Sequence, residues 1–139
     1  CTDRESMPVR LYDACAKLSE ETAHFPSGSL TLNVCLSYGS RDEIAQACRN
    51  IATDCVKKTI SPNVISETTI SDYLTTSHCI DPDVMIRTSG EERISNFLLW
   101  QLAYAELFFL DKDWPELEKE DLLKVIRTFA TGRQRRFGQ

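Results

Sequence analysis

Apolar residues recur along this chain in two periods, and the switches between them mark out the elements. After Pro8, which suits a first helical turn, Leu11, Cys15 and Leu18 fall at helical spacing and predict a helix to about His24. Past the loop Phe25-Pro26-Ser27-Gly28 the period drops to two. Leu30, Leu32, Val34 and Leu36 alternate with Thr31, Asn33 and Cys35, which predicts a strand ending at Ser37-Tyr38-Gly39. Ser40 with Glu43 three residues later has the form of a capping box. Ile44, Cys48, Ile51, Ala52, Cys55 and Val56 then make one apolar helical stripe, closed by Lys57 and Lys58 at the negative end of the helix dipole. Ser61-Pro62-Asn63 breaks the chain, and a shorter helix follows from Ser66 to Thr75 with Ile70, Tyr73 and Leu74 inward.

The second half repeats the alternation of types. Pro82 to Ile86 reads as a short buried strand, Asn96 to Tyr104 as a helix, and Leu107 to Leu110 as a third strand by its length and aromatic content. After Asp113-Trp114-Pro115, an acidic start at Glu116, Glu118, Glu120 and Asp121 leads into a last helix carrying Leu122, Val125, Ile126, Phe129 and Ala130. That helix has a basic end at Arg133, Arg135 and Arg136. Three strands alternating with helices imply right-handed crossovers and a parallel sheet, so the expected class is α/β in a single domain over residues 1–139. Strands buried on both faces in so small a sheet lead us to expect further strands at one edge. No repeat, low-complexity stretch or linker interrupts the chain.

Composition narrows the function classes. With 42% hydrophobic and 27% charged residues the chain is an ordinary globular one. A net charge of −5 provides no domain-wide cationic field, so a non-specific nucleic-acid binder is not expected. Any positive charge that matters is local. Of the six cysteines none forms a CxxC pair, and neither His24 nor His78 has ligand spacing to them. Cys48 and Cys55 on the helical stripe and Cys35 in the strand read as small buried hydrophobes in a reducing compartment. Gln101 and Glu106 interrupt the longest apolar run, which excludes a spanning helix there, and no signal-peptide core lies near residue 1. A chain that opens at Cys1 without Met is expected to be processed, truncated or partial.

The local positive charge sits in the run Arg87-Thr88-Ser89-Gly90-Glu91-Glu92-Arg93-Ile94, followed by Ser95. Arg87 is expected at the C-terminal end of its strand, where open α/β sheets place ligands. Two guanidiniums six residues apart, a Gly-containing turn with free backbone N–H groups and a helix-starting Ser95 are the donors a phosphate or diphosphate needs.

Three strings extend this reading: Asp83 to Glu91, Arg93 to Gln101, and Ala105-Glu106-Leu107. With Leu30 to Ile51 and the terminal Arg135-Arg136-Phe137-Gly138, they closely resemble the C-terminal half of the cis-prenyltransferases, the undecaprenyl and dehydrodolichyl diphosphate synthases. The resemblance runs from about Pro8 to the C-terminus. It implies a partial cis-prenyltransferase fold lacking its N-terminal strands. It also implies condensation of isopentenyl diphosphate onto an allylic diphosphate such as farnesyl diphosphate, giving a long-chain polyprenyl diphosphate with Mg²⁺ as cofactor. Carried over residue by residue, Arg87, Arg93 and Ser95 hold the isopentenyl diphosphate and Glu106 is a metal ligand. Arg136 and Gly138 match an Arg-x-Gly ending that reaches a diphosphate across a dimer. The implied partners are the two diphosphates and a second subunit, identical or related. The implied location is cytoplasmic, extending to the cytosolic face of the endoplasmic reticulum with peripheral membrane contact.

Two stretches depart from the bacterial pattern: Ser89 stands where Gly is usual, and Ser37-Tyr38-Gly39-Ser40-Arg41 replaces Asn-Tyr-Gly-Gly-Arg. Both lean towards eukaryotic members. A larger departure is the absence of the family's Asp-Gly-Asn-x-Arg motif, since neither Asp-Gly nor Gly-Asn occurs in these 139 residues. The isolated chain is therefore expected to be inactive.

Plainer readings stand beside each assignment. Arg87 and Arg93 could be loop arginines paired with Glu91 and Glu92; Glu106 could cap or pair with an arginine. Trp100, Tyr104, Phe108 and Phe109 fit a core or dimer interface. Arg133, Arg135 and Arg136 could simply end a helix, Arg41 reads as structural, and His24 and His78 as surface or satisfied histidines. At the level of function the alternatives are a non-catalytic partner subunit of a heteromeric cis-prenyltransferase and a small phosphate-binding module.

Overall fold

The structure is a computed structural model that describes residues 7–26 and 29–132. It holds helices α1 (Val9–Thr22), α2 (Ser40–Val56), α3 (Glu67–Tyr73) and α4 (Lys119–Gly132), and strands β1 (Val84–Arg87) and β2 (Glu106–Phe109). The class is α/β, and the chain divides into two compact units, Cys1–His78 and Cys79–Gln139.

In the first unit α2 packs on α3. The buried face of α2 is Ser40, Glu43, Ala47 and Ile51, and Leu74 just past α3 joins it. Full burial of a leucine side chain contributes about 2 kcal/mol. This face is rotated from the expected stripe: Cys48 is exposed, Cys55 and Cys35 are half-buried, and Val56 is 84% exposed. The rotation follows from a carboxylate. Glu43, 7% exposed, accepts the Tyr38 hydroxyl and both the backbone N–H and the hydroxyl of Thr75, so the helix turns that side inward. For the same reason Ser40 and Glu43 form no capping box. Gly39 is the N-cap, its carbonyl accepting Asp42 N–H and Glu43 N–H at 3.1 Å each. A capping box does open α3, where Ser66 and Thr69 exchange side-chain-to-backbone bonds at 3.2 and 3.1 Å. Helix α1 buries no residue; Leu11 and Leu18 of its expected face are exposed.

The expected strand over residues 30–36 is not formed. A strand requires a ladder, and among the described residues no strand pairs with this segment, in which Leu30 is 97% and Leu32 79% exposed.

The second unit is built on a two-stranded parallel sheet with Val84 opposite Glu106 and Arg87 opposite Phe109. Among the described residues Met85, Leu102 and Val125 are its buried apolar side chains, and on α4 Leu122 and Ile126 are exposed. The expected helix from Asn96 to Tyr104 is replaced by successive turns. Ser95, Asn96 and Leu98 take φ of 44°, 63° and 46°, which a right-handed helix cannot accommodate. The hydroxyl that would cap such a helix is engaged elsewhere: Ser95 Oγ accepts Arg87 Nη1 at 2.9 Å.

Candidate functional site

Arg87 is the last residue of β1, and its side chain turns back over the loop that follows. Nη1 donates to the Arg93 carbonyl and to Ser95 Oγ, while Nη2 lies 4.0 Å from the Glu91 carboxylate. Arg93 pairs with the same Glu91 oxygen through its own Nη1. Arg87, Arg93 and Ser95 are thus brought together, with Glu91, one of the two glutamates that the plainer reading pairs with the arginines, as their internal counter-ion. The two guanidiniums differ in setting: Arg87 is half-buried and Arg93 largely exposed, at 26% and 64% of side-chain area. The first is fixed by three partners, and the second presents unspent donors to solvent.

The turn at Ser89 and Gly90 does not supply the free N–H groups expected of it. Ser89 N–H donates to the Lys112 carbonyl at 2.9 Å and Gly90 N–H to the Leu110 carbonyl at 3.0 Å. These bonds tie the turn to the segment just past β2, beyond the Leu110 N–H that donates to the Arg87 carbonyl at 2.8 Å. Both turn residues are left-handed, with φ of 66° at Ser89 and 64° at Gly90. Nor does Ser95 begin a helix. The donors that this loop offers are therefore those of side chains and not of a backbone nest or helix terminus.

Glu106 is not part of this cluster. It opens β2 opposite Val84, at the other end of the sheet from Arg87, with its N–H on the Asp83 carbonyl at 2.9 Å. Three residue steps along the strand separate the two ends, about 10 Å. Among the described residues no group of three His, Cys, Asp or Glu side chains could hold a metal, and no helix is long and apolar enough to cross a membrane. Arg136 and Gly138, with Arg133 and Arg135, lie outside the described residues.

Two polar clusters escaped the sequence reading. Lys112 Nζ donates to Asp121 Oδ2 at 2.8 Å and lies 3.8 Å from Glu118. The hydrogen bond to Asp121 holds the lysine above its ordinary range. The same bond, helped by the Glu118 N–H, holds Asp121 below the usual carboxylate range. In the other unit, partial burial and then the bond to Glu43 push the Tyr38 phenol up to about 12. Only the acidic start of α4 hinted at the first cluster; in the second, Glu43 also accepts Thr75, thirty-two residues away, which periodicity does not reveal.

A family model described as putative undecaprenyl diphosphate synthase matches residues 1–138. The chain is 44% identical over 137 residues to an isoprenyl transferase of Chlamydia trachomatis, covering 99% of this chain and 53% of that protein. It is 44% identical over 136 residues to the geranylgeranyl-diphosphate-specific tritrans,polycis-undecaprenyl-diphosphate synthase of Thermococcus kodakarensis, covering 98% of this chain and 50% of that one. The chain thus spans about half the length of the curated relatives it matches. Among solved structures, lavandulyl diphosphate synthase from Lavandula x intermedia superposes on all of the chain with a TM-score of 0.92 at 31% identity, over 58% of its own length. A probable undecaprenyl diphosphate synthase from Campylobacter jejuni does so with a TM-score of 0.82 at 30% identity, over 61% of its length. The chain belongs to the undecaprenyl diphosphate synthase family of prenyltransferases.

Proposed function

We propose that this chain contributes the isopentenyl diphosphate cradle of a cis-prenyl elongating enzyme that extends an allylic diphosphate to a long-chain polyprenyl diphosphate. The observation that carries the reading is the convergence of Arg87, Arg93 and Ser95 at the C-terminal end of β1. A diphosphate displaces Glu91 from the arginines and takes bidentate donors that stay charged at any working pH. Arg87, already fixed by its loop, orients the group, and the more exposed Arg93 closes on it.

Glu106 fits a role at Mg²⁺. The assignment rests on the match of Glu106 to the family's pattern, and a protein carboxylate suits an ion that keeps several waters and completes its shell with substrate phosphate. When bound, the ion assists departure of the allylic diphosphate. Arg136 and Gly138 are assigned to a diphosphate contact across a dimer. The alternative, a non-catalytic partner subunit, has no use for a substrate cradle of its own, which favours the enzymatic reading.

For these 139 residues alone we propose binding without turnover, because they contain no Asp-Gly-Asn-x-Arg motif. Incubation with farnesyl diphosphate, labelled isopentenyl diphosphate and Mg²⁺ tests this. The full-length polypeptide that carries these residues is expected to give long-chain labelled product and the isolated chain none. Product from the isolated chain would refute the second statement, and none from the full-length polypeptide the first.

A further inference from the structure

The turn that leads to Arg93 is held from outside at two carbonyls, those of Leu110 and Lys112, and the second belongs to a residue whose side chain is engaged as well. Ser89 N–H bonds to the Lys112 carbonyl at 2.9 Å, and the Lys112 ammonium bonds to Asp121 at 2.8 Å with Glu118 at 3.8 Å. Asp121 Oδ2 in turn accepts the Glu118 N–H at 3.0 Å, just ahead of α4. Lys112 therefore connects the left-handed turn at Ser89 to the start of α4, by its main chain on one side and its side chain on the other. The turn most needs an external hold. Ser89 at φ 66° is a residue with a Cβ in a conformation that favours glycine, and the displacement of the chain there sets where Glu91 and Arg93 emerge.

We infer that Lys112, through its ion pair with Asp121, is a positioning residue for diphosphate binding: it fixes the Ser89 turn, and with it Arg93, at the spacing the substrate requires. The inference rests on the cradle reading above. Neither side chain touches the substrate. The pair acts by limiting the excursions of the turn, so its loss raises the entropy that binding must remove. An exposed pair carries a modest effect, and salt weakens it.

The test uses steady-state kinetics of the full-length polypeptide with isopentenyl diphosphate varied, with Arg93→Ala as benchmark. Lys112→Met is expected to raise KM for isopentenyl diphosphate about threefold with kcat nearly unchanged, within what an exposed pair can supply. Lys112→Arg should restore the parent value, and Asp121→Asn should reproduce the rise without adding to it in the double variant. Asp121→Asn alone gives the same reading if Lys112→Met does not fold. An unchanged KM in Lys112→Met or Asp121→Asn, while Arg93→Ala raises it, overturns the positioning role and leaves the cradle standing. Independent, multiplying effects of the two substitutions also overturn it. No change in Arg93→Ala itself overturns the cradle.

Discussion

The carboxylate of Glu43, in the first turn of α2, accepts the backbone N–H of Thr75 at 3.0 Å across thirty-two residues of sequence. The Thr75 and Tyr38 hydroxyls complete its shell. Hydrogen bonds to a charged acceptor are worth about 1.5–3 kcal/mol each, and donors stranded by its removal add to the loss. Glu43→Ala is therefore expected to lower unfolding free energy by about 3 kcal/mol, and Thr75→Val, which removes one hydroxyl, by about 1 kcal/mol. Urea unfolding followed by circular dichroism measures both. Near-equal midpoints for Glu43→Ala and the parent would mean that the contact is dispensable.

Tyr38 makes stability alkali-sensitive. Its phenol is raised from 10.0 to about 12 in the fold, so between these values the unfolded chain loses a proton that the folded chain keeps. The unfolded state then binds fewer protons, and the slope of stability against pH is negative. The contribution is fully present below pH 10 and is lost as pH rises through about 12. Thermal melts across this range should show a steeper fall for the parent than for Tyr38→Phe. Parallel profiles would remove Tyr38 as the source.

Ser89 occupies a left-handed position, φ 66°, that a glycine adopts without strain. Ser89→Gly should stabilise by about 1 kcal/mol, and Ser89→Val, whose branched side chain is less tolerant, should destabilise by at least that much. A calorimetric Tm that falls in the glycine variant would show that the turn relaxes elsewhere in solution.

The two arginines should separate by stability. Arg87 is half-buried and bonded to the Arg93 carbonyl and Ser95, whereas Arg93 is mostly exposed and paired with Glu91. Arg87→Ala is expected to cost about 1–2 kcal/mol and Arg93→Ala less than about 0.5 kcal/mol. Urea midpoints in the opposite order would contradict the assigned roles.

Much of this was legible in the sequence because it is local. Pro8, the break at Ser61-Pro62 and the apolar stretches around Met85 and Phe108 locate α1, α3, β1 and β2 closely. The errors arose where a distant partner decides. Residues 30–36 alternate as a strand does, yet alternation shows only that a segment is suited to a ladder, not that one is available. Glu43 reads as a capping residue because the motif spans only four residues, and its partner Thr75 is much further away. Asn96 to Tyr104 has helical composition, but the Ser95 hydroxyl goes to Arg87 and the backbone turns left-handed. In the site, side-chain identity was readable from the Arg87 to Ser95 string, whereas the occupancy of the Ser89 and Gly90 N–H groups was not, because main-chain bonds leave no residue-type signature.

The central claim, that Arg93 and its neighbours form a diphosphate cradle, is tested most directly by titration calorimetry of isopentenyl diphosphate into the full-length polypeptide and its Arg93→Ala variant. Loss of a charge-assisted contact predicts an affinity at least about tenfold weaker with an unchanged urea midpoint. Equal affinities in the two proteins would contradict the account.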